Sequence, residues 1–144
     1  MPRRSHPLLA TAFLYLTLQG AATAASGDQP ASLDGTVFDG VFRELGADSG
    51  GDSDRLIFRD GQFVSEACLD YGFAETSYFA FQSADGVHFT ATSTSPSHGV
   101  MVWRGLQRGE RMDAEITWTK ERWYWTTHRE YRFQGILIDP DQSQ

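Results

Sequence analysis

The chain has 144 residues, 40% of them hydrophobic, with 12 Lys and Arg against 19 Asp and Glu for a net charge of −7. That length suits one domain with a single core, and the acidic balance argues against nucleic acid or an anionic membrane as partner, since both select basic surfaces. A single cysteine excludes an internal disulfide, so packing alone must hold the fold.

Residues 1–24 read as an export signal. Arg3 and Arg4 give a positive start, Leu8 to Leu18 an apolar run, and Ala22-Thr23-Ala24 the small-x-small pattern that signal peptidase accepts. The run is shorter than the ~20 residues that span a bilayer. Cleavage after Ala24 removes two arginines and no acid, leaving a charge of −9 on residues 25–144. The expected destination is the periplasm or the medium.

Residues 25–34 are small and polar, a flexible lead-in to a domain over 35–138. Strands are expected at 36–44, 55–59, 62–66, 76–83, 87–94, 100–107, 111–119 and 129–137, with a Gly/Asp/Ser loop over 46–54 and a solvated tail over 139–144. Asp60-Gly61 and Asp85-Gly86 each sit between β-rich runs and suit tight hairpins, where both central residues need positive φ. Further turns are expected at Gly109 and near Lys120-Glu121-Arg122. Met112, Ala114, Ile116 and Trp118 share one parity and Asp113, Glu115, Thr117 and Thr119 the other, the period-2 mark of a strand with one wet face.

The stretch from Trp123 to Ile138 would extend about 50 Å at roughly 3.3 Å per residue. That is too long for a small barrel, so a bulge or break is expected near Thr126–His128, with Trp123 and Trp125 near one rim. No helix of useful length is expected after the signal. Eight sequential antiparallel strands close naturally into an up-and-down barrel, all-β, whose interior is either filled or holds one small ligand. A two-sheet β-sandwich is the structural alternative.

Trp103-Arg104-Gly105, the turn at Gly109 and Ile116-Thr117-Trp118 resemble the avidin and lipocalin superfamily of small exported barrels. The likeness covers two strands and their turn, about Met101 to Thr119. It implies that Trp103 and Trp118 line a ligand cavity. The polar cluster that reads biotin in avidins has no counterpart here, and "LDGTVFDG" stands where both families open on glycine-tryptophan.

Cys68 follows a strand and reads as a buried apolar side chain. A metal or cofactor thiolate and an intermolecular disulfide are its other readings. Tyr71-Gly72-Phe73 reads as a turn folding two aromatics over one barrel end. His88, His98 and His128 lack metal-ligand spacing, and Ser95-Pro96-Ser97-His98-Gly99 is no nucleophile elbow. Asp48, Asp52 and Asp54 lack the spacing of an EF-hand loop. No catalytic residue, metal or cofactor is expected.

The expected function is a non-enzymatic exported module, monomeric, holding a small apolar or aromatic molecule in or at the barrel mouth. Trp103, Trp118, Trp123, Trp125 and Tyr131 would form its aromatic walls, and Arg104 or Arg129 its polar anchor. The alternative is a protein-binding module, an inhibitor of an exported hydrolase or an envelope assembly factor, using the 119–128 hairpin.

Overall fold

The computed structural model describes residues 28–142, so the expected export signal and its cleavage site lie outside the described residues. Nine strands are formed: β1 (Gln29–Pro30), β2 (Val37–Glu44), β3 (Asp52–Arg59), β4 (Gln62–Ser65), β5 (Thr76–Ser83), β6 (Gly86–Ser95), β7 (Gly99–Arg108), β8 (Arg111–Glu121) and β9 (Thr126–Ile138). From β2 to β9 each strand is antiparallel to the next. β9 then pairs with β2, from Val37↔Ile138 to Glu44↔Tyr131, and closes an eight-stranded barrel. That seam sets aside the two-sheet sandwich. β1 is an added strand on β5 (Pro30↔Phe81), beyond the point where β4 leaves it.

Alternation places the core. Along β8, Met112, Ala114 and Ile116 are buried, and the partners between them face outward. The inward sets of all strands meet in one cluster dominated by Phe38, Phe58, Phe63, Phe89, Trp103 and Phe133. Their rings pack at tilted and edge-on angles, with centroids about 4.9 Å apart for Phe58–Phe89 and 5.0 Å for Phe63–Trp103. Such geometry is favourable beyond area burial alone.

Turn chemistry follows the sequence at one Asp-Gly step and departs from it at the other. Asp60 and Gly61 both take positive φ, 50° and 73°, as a two-residue hairpin requires. In the second hairpin Ser83 pairs with Gly86, so the loop is Ala84-Asp85 and Gly86 opens β6. The Asp85 carboxylate accepts from Ser83 Oγ and lies 2.7 Å from His88 Nε2. These two contacts, Ser83 first, hold its acid constant down to about 2.

Three expectations change. The break near Thr126–His128 is absent: β8 and β9 pair without interruption from Arg111↔Ile136 to Glu121↔Thr126. The surplus length projects beyond the barrel wall instead, and the chain reverses at 122–125, where the Arg122 amide donates to the Trp125 carbonyl at 2.9 Å. Residues 28–34, the described part of the expected lead-in, are not loose, because Leu33 is 2% exposed and plugs one barrel end. Its amide donates to Tyr78 Oη at 2.9 Å, and that phenol donates to Asp34 Oδ1 at 2.7 Å. Lastly, Asp54 is no solvated loop acid but a buried one, pointing inward from β3.

Asp54 explains the short α-helical turn α1 (Glu66–Leu69). Its Oδ1 accepts from the Ala67 and Arg55 amides at 3.0 and 2.7 Å, and its Oδ2 accepts from Ser65 Oγ at 2.6 Å. A neighbouring strand thus supplies the cap that Ser65 does not. Burial pushes this carboxyl up, against the pull of those hydrogen bonds. No helix among the described residues is long and apolar enough to cross a membrane.

Candidate functional site: the barrel mouth

The end opposite Leu33 stays open. There the β2–β3 loop, α1 with its following turn, the β6–β7 turn and the β8–β9 hairpin surround a cavity of about 260 Å³. Trp118, Tyr131, Phe42 and Met101 reach it from the strands. Cys68, Tyr71 and Phe73 reach it from the β4–β5 connection. Tyr131 stacks on Phe42 with centroids 4.8 Å apart, and Phe42 in turn tilts onto Trp103 at 5.9 Å. The aromatic core therefore forms the floor of the hollow.

The Asp52 carboxylate, at the start of β3, is part of the lining, and the other polar groups are few and mostly engaged. Trp118 Nε1 donates to the His98 carbonyl at 2.6 Å, while Ser97 Oγ lies 2.8 Å from His98 Nδ1. Ser95, 3% exposed, donates to the Tyr71 carbonyl at 2.6 Å and ties the Tyr71-Gly72-Phe73 turn to β6. Gly72 takes φ of 80°, which lets that turn fold Phe73 inward while Tyr71 stays exposed beside the His98 ring. The Tyr131 phenol is pushed up chiefly by burial, then by Glu44, with Arg129 pulling the other way. It is a neutral hydroxyl, able to donate or accept.

Cys68 is a wall residue. It is 5% exposed, and its Sγ lies 3.7 Å from Met101 Sδ. Burial, with a smaller contribution from Asp54, pushes the thiol up to about 11. Such a group holds roughly 0.1% thiolate at pH 8, where a free thiol near 8.5 would hold roughly a quarter. Native Cys68 should therefore react with iodoacetamide on the order of a hundredfold more slowly than in urea-unfolded chain. Mass spectrometry of timed samples measures this, and equal rates would refute the buried placement.

The expected wall residues separate into four groups. Trp118 and Tyr131 line the hollow. Trp103, 0% exposed with Nε1 3.3 Å from Ser93 Oγ, belongs to the core beneath it. Trp123 and Trp125 lie outside the wall at the hairpin tip, exposed 94% and 53%. Of the two arginines, Arg104 faces outward and cannot reach the cavity, since its neighbours Trp103 and Gly105 take the inward positions. Arg129 is at the rim, its Nη1 3.2 Å from Glu44 Oε2.

Phe42 and Met101 were legible as inward by their parity with Phe38 and Trp103. Phe73 was expected over one barrel end from the Tyr71-Gly72-Phe73 turn and lies there, whereas His98 gave no such signal, because it reaches the mouth through a loop. Among the described residues no group of three or more His, Cys, Asp or Glu is placed to hold a metal ion.

Fold and hollow together define a small closed β-barrel, plugged at one end and open at the other onto an apolar cavity. No family model matches the chain, and neither a curated protein nor a solved structure is detectably similar to it.

Proposed function

We propose that this protein is a non-enzymatic binding module, exported by the segment at 1–24, that holds one small apolar or aromatic molecule in the barrel mouth. The observation that carries this reading is the apolar cavity floored by packed aromatics and open to solvent on one side. Its volume is near the lower end of ligand pockets, which run from ~300 Å³ upward. Kinship with the lipocalin and avidin barrels belongs to the same proposal, and the up-and-down topology is compatible with it. Trp118 and Tyr131 supply flat walls, and the Tyr131 hydroxyl supplies one polar contact.

The neutral dye N-phenyl-1-naphthylamine tests the reading. It should bind one to one, and Trp118→Ala or Tyr131→Ala should each weaken it about tenfold, or ~1.4 kcal/mol. Trp123→Ala with Trp125→Ala should leave uptake unchanged, because neither ring touches the cavity. A native mass spectrum of protein isolated without reductant should also show added mass that denaturation removes. A bare mass, together with dye uptake indifferent to Trp118 and Tyr131, would end this proposal.

A second reading, a protein contact through the 119–128 hairpin, is favoured by the exposure of Trp123.

A further inference from the structure

Exposed apolar side chains are not scattered over this barrel. Of nine large ones among the described residues, six surround the mouth: Leu45, Leu69, Tyr71, Trp123, Tyr124 and Trp125. The last three form the tip of the β8–β9 ribbon. β8 loses its β7 partner after Thr119, and β9 loses β2 beyond Tyr131, so the ribbon projects past its neighbours. The three rings pack edge to face, with centroids 4.7 and 4.2 Å apart, and form a blunt knob rather than a groove. No hydrogen bond within the described residues engages either indole Nε1 or the Tyr124 hydroxyl.

Charge at the knob differs from charge elsewhere. Lys120, the only lysine of the chain, and Arg122 flank the aromatics against Glu121, in a protein of net charge −7. The Arg122 guanidinium lies 5.6 Å from the centre of the Trp125 ring. Aromatic bodies with free polar tips, next to cations on long stems, match the water–lipid boundary. There, Trp and Tyr sit at headgroup level, and Lys and Arg reach the phosphates.

We propose that the aromatic tip docks this protein on the surface of a zwitterionic lipid bilayer, mouth side toward the lipid. A protein cleft would need a shape complementary to the knob, whereas a fluid headgroup layer needs none. Asp48 and Asp70 in loops, with Asp52 at the start of β3 and Glu66 at the start of α1, lie at the same end, so anionic lipid adds no attraction. The docking goes beyond the ligand reading and does not depend on it, since no tip residue lines the cavity.

The test uses the protein as isolated from its own cells, floated with phosphatidylcholine vesicles. It should co-float, and brominated phosphatidylcholine should quench its tryptophan emission. Trp123→Ser with Trp125→Ser should cut partitioning about tenfold or more at unchanged melting temperature. Phosphatidylglycerol in the vesicles should not strengthen binding.

The proposal would be overturned by no flotation at millimolar lipid, equal flotation of the double variant, or binding only to vesicles containing anionic lipid. Burial of the tip in self-association or on a protein partner, without lipid binding, would do the same. Dye uptake tests the cavity through different residues, so either idea can fail alone.

Discussion

Replacing Trp103 with alanine should lower the unfolding free energy by about 3–5 kcal/mol, the range for deleting a large buried aromatic side chain. The indole is 0% exposed and touches Phe63 below and Phe42 toward the mouth, with centroids 5.0 and 5.9 Å away. Its removal opens a hole in the middle of the barrel, bounded by rings that cannot all move in to fill it. It also leaves the buried Ser93 hydroxyl without the Nε1 donor, a further cost of about 1–3 kcal/mol wherever water does not enter. Trp103→Phe keeps most of the volume and should cost clearly less. Urea titration measures both, and a loss below about 1 kcal/mol for the alanine variant would show that the interior is not packed around this ring.

Gly40→Ala should be comparably damaging, by about 3 kcal/mol, though it adds only one methyl group. A Cβ at Gly40 would lie 2.2 Å from the Gln134 carbonyl oxygen, 2.6 Å from Gly135 Cα and 2.7 Å from Phe133 Cζ. Two of those atoms are backbone, so a strand must shift. The strand concerned is the closing one, because Gly40 faces Gly135 across the β2–β9 seam. The Phe133 ring, 0% exposed, lies against both glycines and fills the space that their missing side chains leave. Separating the seam would unseat this ring and expose two sheet edges. The same titration, with a solubility assay, gives the result. Wild-type stability in Gly40→Ala would mean that β2 and β9 do not meet in this register.

These two positions show how far a sequence can be read. The eight strand spans were legible because alternation is a local signal, and Asp60-Gly61 carried its own turn chemistry. Closure into a barrel was expected from the run of eight antiparallel strands, but the register of its seam was not, for nothing near residue 40 names residue 135 as its neighbour. Trp103 was correctly marked as inward, but not as floor rather than wall. Parity says which side of a strand a residue faces, not how deep in the barrel it lies. Asp54 was taken for a loop acid because the one turn of helix that it caps, α1, lies on the far side of a hairpin. The surplus length of β9 was noticed, yet its resolution as a projecting ribbon depended on where β7 and β2 stop pairing.

By itself the sequence determined an all-β chain of eight antiparallel strands that closes into a barrel, and an inward aromatic set. Each of these follows from period-2 patterning, turn residues or composition, which act over a few positions. Only the tertiary structure decided which end is plugged and which is open, which tryptophans fill the core and which stand in solvent, and that Leu33 and Asp54 serve the interior. Closing the sheet joins residues about a hundred positions apart, and depth along a barrel axis depends on the stagger of all eight strands at once.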